Sequence, residues 1–168
     1  YETVYIINLT GTEAKKMLEL TRSTAKTIFE TSVSCIGAST CQVGVRDSQA
    51  LLRACVEAVR EAKIPDGALP QIHISGCPSS CGTHQIGEMG FRGAIKNKQP
   101  AYMFYLSGCD RQGEEKMGAE LGTILETEIP RFLVELGQTV TASGKDYFAW
   151  KAENPDGVEK IAAPYLAE

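Results

Sequence analysis

Four cysteines carried on two glycine- and serine-rich loops constrain this fold more than any other feature of the sequence. "SCIGASTCQVG" spaces Cys35 and Cys41 as C-x5-C, and "SGCPSSCGTHQIGEMG" spaces Cys77 and Cys81 as C-x3-C. If the two pairs serve one ligand, the fold must bring loops far apart in sequence to the same place. A disulfide framework is a poor alternative. Such frameworks belong to small secreted scaffolds in oxidising compartments, and 168 residues with 43% hydrophobic content can bury a core without staples.

Three readings compete for the four thiols. Structural zinc takes four thiolates, but its knuckles usually hold cysteines two to four residues apart in tight turns. Disulfides need an oxidising setting that nothing else in the chain supports. An iron-sulfur cubane presents iron corners that separate loops can reach, and thiolates suit soft iron. Gly37, Gly44, Gly76 and Gly82 beside the cysteines would let backbone approach the inorganic sulfides, and Pro78 stiffens the second loop. The geometry favours a cluster. The other two cysteines differ in setting. Cys55 lies in the apolar stripe of a helix and reads as a small buried hydrophobe, and Cys109 in "YLSGCD" reads as an unliganded thiol in a turn.

Around these loops the chain alternates strand-like and helical patterns. "TVYIINLT" is β-rich. "GTEAKKMLELTRSTAK" has helical spacing, with Ala14, Met17, Leu18 and Ala25 near one face and Thr12 as N-cap, and "TIFETSVS" returns to an extended pattern, completing a β-α-β unit. A helix is expected over 47–63, with Leu51, Leu52, Cys55, Val56 and Val59 on one stripe and Asp47 or Ser48 as cap. "QIHIS" reads as a strand leading into the second cysteine loop. "IGEMGFRGAI" and "AYMFYLSG" read as a hairpin or near-hairpin across "KNKQP". From Glu114 to Ser143 the spacing is helical with a break at Pro130, and "DYFAWKAENPDGVEKIAAPYLAE" is expected to wrap round the core.

"SGCPSSCGTHQIGEMGF", preceded by "CIGASTC", closely resembles the signature of the nitrite and sulfite reductase family: a C-x5-C loop, a G-C-P-x-x-C loop and an "IG-x-x-G" strand. The match is direct over about 31–91 and weaker over the rest. It implies an α/β (α+β) fold, a mixed sheet with flanking helices like the family's 4Fe-4S domain. The expected division is a β-α-β lead-in over 1–34 forming part of a ferredoxin-like half-domain, a 4Fe-4S and sirohaem-binding domain over 35–136, and a mostly helical appendage over 137–168. The resemblance implies that Cys35, Cys41, Cys77 and Cys81 ligate the metal of a 4Fe-4S cluster. It also implies that Cys81 is the catalytic, shared axial ligand of sirohaem. Such a chain is the C-terminal cluster-binding portion of an assimilatory-type reductase of sulfite or nitrite, inactive without an N-terminal half. Two alternatives stand beside it, an iron-sulfur electron-transfer or scaffold module without sirohaem chemistry and a structural zinc-binding interaction domain.

Family members often carry Asn after the "GCP" proline, where this chain has Ser79, a shorter candidate contact to sirohaem. The basic side chains that neutralise the oxyanion in the family come mostly from its N-terminal half. An N-terminal half or partner subunit, and an electron donor such as ferredoxin or a flavoprotein, are therefore the implied partners. Arg92, Lys96 and Lys98 read as a solvated hairpin turn, with a donor-docking patch as the alternative. His84 reads as a surface or helix-start residue, or as a donor to a cluster sulfide or sirohaem carboxylate, and His73 as strand packing. A net charge of -4 gives no footprint for nucleic acid, and no apolar run reaches the ~20 residues of a membrane span. A soluble, cytoplasmic protein is expected. The chain enters on a strand-like run at Tyr1 rather than Met, which reads as a piece of something longer.

Overall fold

The structure is a computed structural model and describes residues 6–22 and 25–166. Its centre is a mixed five-stranded sheet, formed by β1 (Val33–Ser34), β2 (Ile72–Ser75), β3 (Met89–Lys96), β4 (Gln99–Leu106) and β5 (Ala119–Leu125) in that spatial order. β1–β2 and β2–β3 pair parallel, whereas β3–β4 and β4–β5 pair antiparallel. The expected mixed sheet with flanking helices is what forms.

Helix α2 (Ser48–Glu61) connects β1 to β2, and its register follows from the sequence stripe. Leu51, Cys55 and Val59 are buried, while Leu52 and Val56 pack partly against the same core. Asp47 caps the helix by accepting a hydrogen bond from the Ala50 N–H at 3.0 Å, which leaves the Ser48 hydroxyl for other use. Burial in this apolar stripe pushes the Cys55 thiol far up, so it stays protonated packing, as expected. The β3–β4 hairpin turns on Asn97 and Lys98, both at positive φ (51° and 62°), the left-handed pair required by a two-residue turn matched to strand twist.

Three expectations change. The helix α1 (Gly11–Leu20) forms, but its N-cap is Thr10, which exchanges hydrogen bonds with Glu13 in a capping box, and not Thr12. None of its residues is buried, and Leu18 is 71% exposed. Residues 6–10 form no strand, and the first half of the strand-like run lies outside the described residues. Beyond α1, residues 29–31 make a single 3-10 turn before the two-residue β1, so the lead-in builds no β-α-β layer among the described residues. Finally, 119–125 is strand β5 rather than helix. Pro130 does not break a helix but sits in the first turn of α3 (Ile129–Ala142), where its missing N–H has no intrahelical role.

α3 packs beside α2 on the sheet. Phe104 of β4 stacks on Phe91 of β3 with ring centroids 5.0 Å apart and meets Phe132 of α3 edge-on at 5.3 Å. The last helices, α4 (Tyr147–Glu153) and α5 (Gly157–Ala162), contribute Tyr147, Trp150, Val158 and Ala162 to this same core.

α4 is also pinned by polar groups. The Tyr147 hydroxyl donates to Glu88 at 2.8 Å, and Lys151 pairs with Glu88 and donates to Ser107 Oγ at 2.8 Å. The Lys151 and Glu88 side chains are each only 18% exposed. Lys151→Met therefore leaves a largely desolvated carboxylate with one donor fewer, and should cost about 2 kcal/mol in urea unfolding. An unchanged midpoint would show that the pair is solvent-screened.

Candidate metal centre

Each parallel crossover of the sheet carries one cysteine loop. The connection from β1 to β2 opens with Cys35 immediately after Ser34, and the connection from β2 to β3 opens with Gly76 and Cys77 immediately after Ser75. Ser34 is in register with Ile74, so both loops leave the sheet side by side at the carboxyl ends of adjacent parallel strands. Ligand sites in parallel sheets form at such ends, where neighbouring loops diverge and leave a crevice. This topology brings together thiols that are distant in sequence.

Main-chain bonds tie the loops to each other. The Cys35 N–H donates to Ile74 O at 3.0 Å, and the Val45 and Arg46 N–H groups both donate to Gly76 O, at 3.0 and 2.9 Å. The Gly76 N–H points at Cys35 Sγ, 3.1 Å away. A Cβ on Gly76 would lie 2.5 Å from Arg46 O, so this glycine is required by one loop passing against the other. Within the second loop Ser80 and Thr83 hold positive φ (59° and 54°), a strain that persists only where surroundings over-determine the backbone.

Cys35, Cys41, Cys77 and Cys81 all line one small cavity of about 90 Å³, together with Ser79. Cys77 is buried, Cys35 and Cys41 are half-buried and Cys81 is exposed, and all four are free thiols. Among the described residues, no group of three or more His, Cys, Asp or Glu side chains is arranged to hold a metal ion. The donor set is nevertheless purely sulfur, with backbone N–H aimed at one sulfur. That is the chemistry of soft, thiolate-bound metal.

The structure moves other candidates. His84 is fully buried, in a turn rather than at a helix start or on the surface, because its Nδ1 lies 2.9 Å from Ser75 Oγ, which also accepts the Gly82 N–H at 3.1 Å. Burial, with the Arg92 guanidinium second, holds the ring down to about 4, so it is neutral at pH 7. It braces the second cysteine loop against the end of β2. His73 is buried in β2, its Nδ1 2.9 Å from Thr83 Oγ1, as strand packing predicts. Arg92 does not join Lys96 and Lys98 at the hairpin tip. Its guanidinium lies 5.8 Å from the Tyr105 ring centroid, so the expected trio is not one patch. Cys109 pairs its backbone with Lys116 and does not line the cysteine cavity.

Ser48 and Ser75 do not line the cavity but hydrogen-bond the loops that carry it, a supporting role without a signal in the sequence. Ser48 had been weighed only as an alternative helix cap, and serine in a strand carries no signal of its own.

The fold and site define an α/β protein with a mixed sheet whose two parallel crossovers present four cysteines to one cavity. No protein-family model matches the chain. Among curated proteins it is 27% identical over 152 residues to the sulfite reductase [NADPH] hemoprotein beta-component of Bacillus licheniformis, a match covering 80% of this chain and 26% of that protein. It is 31% identical over 100 residues to the ferredoxin–nitrite reductase of Leptolyngbya laminosa, covering 58% of this chain and 19% of that one. Among solved structures, the Mycobacterium tuberculosis NirA protein shares the fold with a TM-score of 0.56 at 16% identity, over 76% of this chain and 26% of that one. The resemblance read from the cysteine motifs is borne out: the chain is a relative of the nitrite and sulfite reductases. It spans about a quarter or less of the length of the curated relatives it matches. No helix among the described residues is long and apolar enough to cross a membrane.

Proposed function

We propose that this chain is the 4Fe-4S and sirohaem-binding portion of a sulfite or nitrite reductase. The observation that carries the reading is the convergence of the four thiols on one cavity. Cys35, Cys41, Cys77 and Cys81 would hold the cluster, and Cys81, which is exposed, would also help to hold sirohaem. Ser79 on the same cavity would contact sirohaem. When bound, these groups supply the six-electron reduction of sulfite to sulfide or nitrite to ammonia.

The chain's own residues provide the frame. The Gly76 N–H steadies Cys35 Sγ, the paired bonds to Gly76 O lock the loops together, and neutral His84 on Ser75 fixes the turn after Cys81. Among the described residues no basic side chain lines the cysteine cavity, and neutralising the oxyanion would fall to an N-terminal half or partner subunit. The chain alone is then inactive, and its electrons come from a ferredoxin or flavoprotein in the cytoplasm.

Anaerobic reconstitution with iron and sulfide should load about four irons per chain, and Cys77→Ser should abolish that loading. Unchanged loading by the variant would refute the ligand assignment. The absorption spectrum distinguishes the remaining readings. A cluster shoulder that gains no Soret band on adding sirohaem and the N-terminal half would indicate an electron-transfer module, and a colourless, zinc-loaded protein an interaction domain.

A further inference from the structure

Cys35 is held more elaborately than the other three thiols, and the residue responsible is Ser48. Its side chain is fully buried, and its Oγ lies 2.8 Å from Cys35 O and 3.2 Å from Cys35 Sγ. Among the described residues the hydroxyl has no other partner. The helix does not need it, since Asp47 supplies the cap. The hydroxyl is also confined: a Cβ on Gly37, itself at φ 73°, would come within 2.9 Å of Oγ. With Cys35 as a thiol, S–H can donate to Oγ while the Ser48 hydroxyl donates to the Cys35 carbonyl. A metal-bound thiolate has no proton to give, and the single Ser48 proton then faces two acceptors, carbonyl and sulfur.

We propose that Ser48 is a positioning residue that raises the reduction potential of the centre by turning its hydroxyl from the Cys35 carbonyl to the Cys35 sulfur as that sulfur gains charge. The inference rests on the cluster-ligand reading above. One-electron reduction increases the negative charge on the ligand sulfurs, so a hydrogen bond to sulfur stabilises the reduced form more than the oxidised one. The electron comes from the reductant, and no bond to sulfur is made or broken. The Gly76 N–H of the second loop already donates to the same atom, so among the described residues Cys35 is the thiol of the four that both the start of α2 and the second loop can meet with a donor.

The test compares wild type, Ser48→Ala and Ser48→Thr after anaerobic reconstitution, reading iron per chain and then the midpoint potential in a dithionite titration. Ser48→Ala should hold as much iron as wild type. Its one-electron reduction should be about three- to tenfold less favourable, a downward shift of about 30–60 mV. Ser48→Thr keeps the hydroxyl and should titrate with wild type. Equal potentials for wild type and Ser48→Ala overturn the proposal while leaving the ligand assignment standing, whereas failure of wild type to load iron overturns both. If Ser48→Ala does not load, Ser48→Thr decides. A wild-type potential supports the hydroxyl's role, and a lowered one shows that packing, not the hydrogen bond, sets the value.

Discussion

Gly93→Ala is expected to destabilise the chain by about 3 kcal/mol and to weaken iron loading at the same time. Gly93 lies within β3, where glycine ordinarily weakens a strand, so its presence needs a reason. A Cβ at this position would stand 2.2 Å from Gly76 O and 2.6 Å from Gly76 C. The obstacle is backbone and cannot rotate aside. The carbonyl it would strike is the one that accepts both the Val45 and Arg46 N–H groups. Displacing it strains the strand and loosens the tie between the two cysteine loops in one step. Thermal unfolding should fall by about 6–12 °C for a domain of this size. Reconstituted iron per chain should drop, even at temperatures where circular dichroism shows the variant folded. A folded variant with full iron loading would show that the loops are not held through this carbonyl.

Phe104→Ala should have the larger effect on stability alone, about 3–5 kcal/mol. The ring is fully buried, stacked on Phe91 and met edge-on by Phe132, so its removal leaves a cavity bounded by two strands and α3. Neither neighbour can close it easily, because both are aromatic and fully buried themselves. Urea unfolding should show a midpoint lowered in proportion to that cost with little change in slope. A loss under 1 kcal/mol would mean that the core collapses around the gap and is softer than its packing implies.

Local signals in the sequence reached the elements that local chemistry decides. The α2 stripe and its acidic cap, the β3–β4 hairpin and the two cysteine loops were all legible, because periodicity, capping and turn chemistry act over a few residues. β5 was not. Leu121, Ile124 and Leu125 are spaced as a helix face, and only Ile124 is buried in the strand that forms. The free edge of β4 made the difference, since its backbone groups need partners and β5 supplies them, with a bulge between Phe104 and Tyr105 and Gly122 at φ 145° easing the fit. Likewise, α1 carries a helix signal strong enough to form the helix, yet no element among the described residues covers its apolar side chains.

The site divides in the same way. The resemblance to nitrite and sulfite reductases was readable from the motifs, and so were the four cysteines that the structure brings to one cavity. His84 was misjudged because burial depends on which loop folds over which strand, and three residues of spacing from Cys81 cannot express that.

The amino-acid sequence by itself determined the two thiol-bearing loops, the hairpin and the amphipathic helix between the loops, since each follows from residue type and near-neighbour spacing. Only the tertiary structure decided that the loops meet, that Gly76 and Gly93 are glycine because backbones cross there, and that Ser48 faces a sulfur. Those outcomes depend on parallel strands placing two carboxyl ends side by side, a long-range pairing that no short window of sequence encodes.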